Sequence, residues 1–368
     1  MPLAKPSAQA AQASTKNRAS LNHRTGLSQI RPSTLIQERS PETELLQRKR
    51  RMKLLTSLLN RILLLMAALV ASSAWAASPT MANAGSHPAG VPQNYVVTPF
   101  GYFHPSCVRE VADGARLMDA DAPPACASRA HFDAQGKDAA ATGPATKAPR
   151  AVNPLAAISG WVEDSELVAM SPYAGISASW PVPAAPSSRG GQVVYFFPGL
   201  QDSRNVQSIL QPVLGWNAFG DQAWTIASWN CCRNGAANYS TPRTVSSGDL
   251  IAGRVWHDCP AGAAACGSWN VETRDVTQNT LTTLSHTSNY GQSFNWAFGG
   301  VLEVYGVVNC QNYPADGAIS FSNIQLLDIN KQIISNPASL AWSANALQQG
   351  GGCNYHAAAS AAATALSY

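Results

Sequence analysis

No pair of cysteines in this sequence is spaced Cys-x-x-Cys and no His-Glu-x-x-His occurs, which argues against a structural zinc site or a zinc hydrolase. Gly-x-Ser-x-Gly and the phosphate-binding Gly-x-x-x-x-Gly-Lys are also missing, so neither a nucleophile elbow nor a P-loop is indicated. Histidine is scarce, with seven in 368 residues, and charged side chains make up 12% of the chain. Helical periodicity is missing from residues 160–328. An unbroken apolar run of about 20 residues, as a membrane-spanning helix needs, is missing too. The nearest approach, Ile62 to Val70, is cut off on its amino-terminal side by Arg61.

What is present falls into two parts of different kind. Residues 1–51 are polar and basic, carry no apolar repeat and have no means of building a core. They read as a disordered leader or as an over-extended start. Residues 52–76 have the order of a secretory signal: basic residues ending at Lys53, an apolar block, then Ala71-Ser-Ser-Ala-Trp-Ala76 with a cleavage site after Ala76. This amino-terminal part holds 12 of the 25 basic residues but 3 of the 21 acidic ones, leaving 13 basic against 18 acidic and a net charge of −5 afterwards. An acidic mature chain offers no electrostatic attraction for nucleic acid or an anionic membrane. The sequence therefore predicts a secreted or periplasmic protein, not stably inserted in a membrane after cleavage, and working as a monomer.

All eight cysteines follow the signal, an even number that favours disulfides in an exported chain. Proximity pairs Cys107 with Cys126 and Cys259 with Cys266, and leaves Cys231, Cys232, Cys310 and Cys353 unassigned. Residues 77–152 read as an Ala/Pro/Gly-rich lead-in, a small stapled unit around Cys107 and Cys126, and a linker over 127–152; the whole is a candidate propeptide. Residues 153–355 are expected to form a β domain. Within it, short β-branched and aromatic runs lie between Gly, Pro, Asn, Asp and Ser every ten residues or so, the pattern of a β-sandwich or barrel. Strands are predicted over 176–182, 192–197, 208–214, 222–230, 250–257, 268–275, 279–285, 300–308 and 319–327. One helix is predicted around 337–348, and the Ala-rich tail 356–368 reads as a frayed helix or as disordered.

Two polar residues stand out against their surroundings. Glu303 lies in Gly-Val-Leu-Glu-Val-Tyr-Gly and shares a sheet face with Val301 and Tyr305. A carboxyl there is either a solvated rim group or one whose pKa is raised by a dry, aromatic setting toward general acid/base use. Gln211 sits in Ile-Leu-Gln-Pro-Val-Leu, where a buried amide needs partners. Glu272 and Asp275 also fall in strands, so a carboxylate pair of the kind used on sugars stays open. His257, at a strand end beside Asp258 and just before Cys259, reads as a hydrogen-bonded loop histidine rather than a base.

The order of these motifs over residues 174–328 resembles the glutamic peptidases, the eqolisin family. Ile176-Ser-Ala-Ser-Trp-Pro-Val-Pro183 is similar to that family's opening strand, and Gln192-Val-Val-Tyr-Phe-Phe-Pro-Gly199 to the next strand and its glycine turn. Ile209-Leu-Gln211 resembles the segment carrying the catalytic glutamine, Ala223-Trp-Thr-Ile-Ala-Ser-Trp229 the Trp-rich groove strand, and Ser247-Gly-Asp-Leu-Ile251 a Gly-Asp turn. Leu302-Glu-Val-Tyr305 resembles the segment with the catalytic glutamate. The resemblance implies an all-β, concanavalin A-like sandwich of two antiparallel sheets. It also implies a secreted acid-acting endopeptidase needing no cofactor or metal, with a polypeptide substrate. Glu303 would serve as general base and acid on water, Gln211 as oxyanion donor, and Trp216, Trp224, Trp229 and Tyr305 as substrate-binding aromatics. Departures from the family pattern are Ile226, where the groove strand has an acidic residue, and Gly215, where one follows the glutamine. The competing reading is a non-catalytic, lectin-like sandwich that binds glycans.

Overall fold

The computed structural model describes residues 48, 50–54, 81–82, 87–117, 124–138, 157–204, 208–232, 235–263, 265–347 and 353–368. The signal peptide predicted over 52–76 lies almost wholly outside the described residues. Within the first of two compact units, residues 1–76, the described part is a helical stretch over 50–54. No described helix is long and apolar enough to cross a membrane.

The second unit, residues 77–368, is a sandwich of two large sheets. Its strands in chain order begin with three short ones, β1 Val96–Thr98, β2 Gly101–Phe103 and β3 Val108–Val111. Then come β4 Ile158–Val168, β5 Gly175–Pro181, β6 Val193–Gln201, β7 Ile209–Trp216, β8 Trp224–Cys231, β9 Ala237–Ser240, β10 Arg243–Val245 and β11 Leu250–His257. The chain continues through β12 Ser268–Asp275, β13 Thr280–Ser288, β14 Trp296–Val307, β15 Ala318–Leu327, β16 Ser343–Ala346, β17 His356–Ser360 and β18 Ala363–Ser367. One sheet runs β16-β4-β14-β6-β7-β8-β9-β3, with β10 also paired to β8; the other runs β13-β12-β11-β5-β15-β18-β17. Pairing is antiparallel except where β3 joins β9 in parallel at the edge.

Alternation along the strands explains the packing. Val194, Phe196, Leu214, Trp216, Trp224, Ile226, Leu302 and Val304 face the second sheet, where Trp180, Ile251, Ile319, Phe321 and Leu366 meet them. The opposite, outer row of the first sheet is equally apolar: Val193, Tyr195, Phe197, Val213, Trp229, Val301 and Tyr305. Strands buried on both faces read as continuous apolar runs, and β6, β7 and β8 are buried at every position. The cover over that outer row is the amino-terminal segment itself, through Met81, Val91, Tyr95, Val97, Phe100, Tyr102, Phe103 and Ala134. Each large side chain so enclosed contributes roughly 1.5–3 kcal/mol.

All eight cysteines are paired: Cys107–Cys126 and Cys259–Cys266 as the spacing suggested, and Cys231–Cys232 and Cys310–Cys353 from the four left open. Multiple disulfides suit an oxidising, extracellular or periplasmic compartment.

Several expectations change. The helix around 337–348 is instead a short 3-10 turn, Pro337–Ser339, followed by β16. Asn345 sits opposite Asp164 and donates to its carboxylate at 2.7 Å, so edge pairing with β4 overrides helix propensity there. The tail is neither helix nor disorder: β17 and β18 form a hairpin, and β18 extends the second sheet through β15, burying Leu366. In β18, Ala363-Thr-Ala-Leu366 alternates alanine with larger residues, a strand period that the alanine content of the tail masked. Strand β4 was not anticipated, and the linker assigned to 127–152 is packed structure up to residue 138.

Candidate active site

Glu303 and Gln211 come from β14 and β7, with β6 between them. Glu303 lies opposite Tyr195 on β6 and opposite Trp161 on β4. Gln211, one residue past the Leu210–Leu200 pair, lies level with Gly199, which itself pairs with Phe298 of β14. Both side chains therefore point to the same outer face, since each alternates with the residues facing the second sheet. They are not in one row. Val301, Phe197 and Val213 occupy the level between them, and no hydrogen bond joins the two among the described residues.

Glu303 is 1% exposed and sits in an aromatic box. The Tyr305 hydroxyl donates to its Oε1 at 2.6 Å, Trp161 lies alongside, and the Tyr195 and Tyr305 rings are 6.2 Å apart. Burial pushes the carboxyl up to about 8, against the hydrogen bond from Tyr305 that pulls it down. In the covered state it is a neutral acid throughout the acidic and neutral range. Burial, with the Glu303 charge as the second cause, also raises Tyr195 well above the usual phenol.

Gln211 is fully buried, and its Nε2 donates at 3.4 Å to the carbonyl of Pro99. Its Oε1 has no partner. Pro99 lies in the turn of the hairpin that pairs Thr98 of β1 with Gly101 of β2, a turn closed by the Thr98 hydroxyl donating to the Gly101 carbonyl at 3.1 Å. Three residues beyond Pro99, Tyr102 packs edge-on against Tyr305 with ring centroids 5.4 Å apart. One short peptide segment thus reaches from Gln211 to the neighbourhood of Glu303. Gly101 has φ +122°, and a Cβ there would run into the Phe132 carbonyl, so the bend needs glycine.

The four proposed substrate aromatics divide. Trp229, stacked on Tyr239 at 4.9 Å, and Tyr305 share the face of Glu303 and Gln211. Trp216 and Trp224 do not: they pack against each other 5.5 Å apart on the opposite side of the sheet, in the core between the two sheets, and cannot touch a ligand on the outer face. Their position in β7 and β8 has the wrong parity for it. Pro99, Tyr102, Trp161 and Tyr195 were not anticipated, because strand pairing and the docking of a remote hairpin bring them in; the runs of β6, β7 and β8 carried the hint of a covered face.

Glu272 and Asp275 lie in the other sheet, on β12, and form no pair with Glu303. Asp275 is buried and accepts from the Gln278 backbone N–H at 2.9 Å, while Glu272 lies near Arg254 and Arg274. His257, expected at a strand end, ends β11 and is 3% exposed, with burial the first cause lowering its pKa. His257 gathers with Cys259 and Cys266, but the two cysteines are joined to each other and offer no thiolate to a metal.

A further buried carboxyl, Glu163 on β4, is 1% exposed, close to the backbone of His356 and Ser367, and burial raises it to about 8. Tyr313, Tyr355 and Tyr368 all feel its charge.

No family model and no curated protein matches the chain. Among solved structures it is similar to a scytalido-glutamic peptidase crystallised with a peptide-based transition-state analogue: 16% identity, TM-score 0.43, covering 58% of this chain and all of that one. It is similar to the same degree of coverage and identity to SCP-B, a member of the eqolisin family of peptidases in complex with the tripeptide Ala-Ile-His, at TM-score 0.42.

Proposed function

We propose that the sandwich is an acid-acting peptidase domain of the glutamic type, held latent by its own residues 81–138. The observation that carries this reading is the Pro99 carbonyl resting on the Gln211 amide. A backbone carbonyl of the chain occupies the donor that would bind a substrate's carbonyl oxygen, and the same segment runs on toward Glu303.

The chemistry follows from the two groups. With the hairpin displaced, water reaches the aromatic box and the carboxyl of Glu303 ionises more readily, because desolvation is the main cause of its raised pKa. The carboxylate then takes a proton from an attacking water and returns it to the leaving amine. The amide of Gln211 donates to the oxyanion, and its charge does not change with pH. Tyr305 orients the carboxyl through its hydroxyl. The Phe197–Val301–Val213 row requires the substrate to bridge the two groups along the strands, as the covering hairpin does.

No disulfide ties residues 81–138 to the sandwich: Cys107 and Cys126 pair within the segment, and the other six cysteines pair within the sandwich. A cut between residues 138 and 157 would leave the cover held by packing, by β3 on β9, and by contacts such as the Arg243–Asp113 ion pair at 2.8 Å.

Glycan binding on this face gains less support, since two of the four aromatics named for it, Trp216 and Trp224, lie in the core between the sheets. The test is digestion of a denatured protein from about pH 3 to about pH 7 by the cut chain, beside its Glu303→Gln variant. Cleavage confined to the wild type upholds the reading; equal cleavage by both, or none by either, rejects it.

A further inference from the structure

The outer face of the second sheet carries a cavity that the peptidase reading does not use. About 300 Å³ of space lies above β5, between Trp256 and Arg254 of β11 on one side and Leu327 and Ile333 on the other. The second wall exists because the chain folds back after β15: Leu327 bridges Ile333, and the Ile334 N–H donates to the Leu326 carbonyl at 2.9 Å. A second space of about 240 Å³ shares Ser177, Arg254 and Gln325 with the first and continues it along the strands.

The lining is apolar with cations at its border. Ile333 is 54% exposed, an aliphatic side chain left in solvent beside an indole. The guanidinium of Arg254 lies 4.0 Å from the Trp256 ring centroid, a stacked position that holds it over the cavity wall. Its nearest carboxylate, Glu272, is 3.8 Å away, too far for a hydrogen bond, and Glu272 is shared with Arg274. Lys331 gives one of its three ammonium protons to the His257 carbonyl at 3.1 Å, leaving two for another acceptor. His257 offers this space only that carbonyl, because its ring packs against Trp269 on the inner side of the sheet, with centroids 5.2 Å apart. An apolar cavity with a few converging polar groups is the usual form of a small-ligand site.

We infer that this cavity binds a carboxylate carried directly on an apolar group, the chemistry of a peptide's carboxy-terminal residue with an aliphatic or aromatic side chain. The side chain lies between Trp256, Leu327 and Ile333, and the carboxylate lies between Arg254 and Lys331. A neutral sugar fits less well, because its ring of hydroxyls would lose water against two apolar walls with Ser177 and Gln325 as the nearest compensation. The same chemistry has a second source, a free aromatic or branched carboxylic acid, which the test separates. The site is independent of the peptidase reading, since it lies on the other sheet and uses none of its residues.

The experiment is calorimetric titration of the full chain with acetyl-Ala-Ala-Leu as the free acid, with its carboxy-terminal amide, and with phenylacetate. The free acid is expected to bind at least about tenfold tighter than the amide, since a charge-assisted contact is lost. Arg254→Gln and Lys331→Gln are each expected to weaken the free acid about tenfold without changing the thermal midpoint, as both side chains border the cavity rather than the core. Phenylacetate binding as tightly as the peptide acid would keep the site and assign it to small acids; tighter peptide binding assigns it to chain termini. Equal affinity for acid and amide, or full binding by both variants, would overturn the inference, and so would the absence of heat with all three probes.

Discussion

The outer faces of the two sheets are built from the same alternating strands, yet one is sealed and the other is open. On the first sheet, outward positions carry Val193, Tyr195, Phe197, Trp229, Val301 and Tyr305, and the amino-terminal segment buries them. On the second, outward positions carry Ser177, Ser179, Arg254, Glu272 and Gln325, with Trp256 and Leu327 forming a small apolar wall at one end, none of them buried. A cover is obligatory over the first face and not over the second. An apolar row of that size cannot remain in water, whereas the polar row needs nothing above it. The two polar groups set into the apolar row, Gln211 and Glu303, are the exception that gives the sealed face chemical meaning.

Four measurements test whether the sealed and open faces differ in this way. Once the cover is freed, Gln211→Ala is expected to lower kcat for acid proteolysis by about 10²- to 10³-fold, as removal of an oxyanion donor does; an unchanged kcat would mean that the amide serves packing alone. The second outcome concerns pH. Glu303 and Glu163 have folded pKa values raised to about 8, above the value near 4.5 of an unfolded glutamate, so the folded state binds the extra protons. Their contribution is full below pH 4.5 and is lost as pH rises toward 8, on the order of a few kcal/mol for each carboxyl. Denaturant titrations should show that Glu163→Gln removes a fall in stability across that window relative to wild type; a pH dependence of stability that the substitution leaves unchanged would contradict the raised pKa of Glu163.

A smaller effect is expected from Gly101→Val, which meets the Phe132 carbonyl at the hairpin bend. It should speed amide exchange in β1 and β2 and let measurable acid proteolysis leak from the uncut chain, with the thermal midpoint of the sandwich little moved. Protection in β1 and β2 equal to wild type would show that the hairpin does not depend on that bend. Smallest of all, Arg254→Gln on the open face should leave acid proteolysis by the cut chain within about twofold. A large loss would mean that the two faces are coupled.

The strand core was legible because its signal is local. The expected strands 250–257 and 268–275 coincide with β11 and β12, where polar and apolar residues alternate and turn residues bound each run. The shared face of Glu303, Val301 and Tyr305 followed from parity alone. Trp216 and Trp224 were misplaced because parity was applied to the glutamate and not to them. Leu214 and Ile226, their same-face neighbours two positions away, already point into the core between the sheets. A propeptide over residues 77–152 was expected, but the contacts of Pro99 and Tyr102 with the sheet were not, because they belong to a segment poor in long apolar runs. It gains its order from the face beneath it, and the matching signal lay in the unbroken burial-prone runs of β6, β7 and β8. The tail hairpin was hidden by composition, since alanine favours helix in isolation and β15 supplies the pairing that decides otherwise.

The most direct measurement compares two forms of one protein: the intact chain, and the chain cut at a site-specific protease sequence placed between residues 138 and 157, each assayed on a denatured protein at acid pH. If the sealed face is a latent active site, cutting and separating the cover should raise the rate by at least about a hundredfold, and Glu303→Gln should abolish the gain. A cut chain that stays folded, has lost residues 81–138 and still cleaves no faster than the intact one would contradict it.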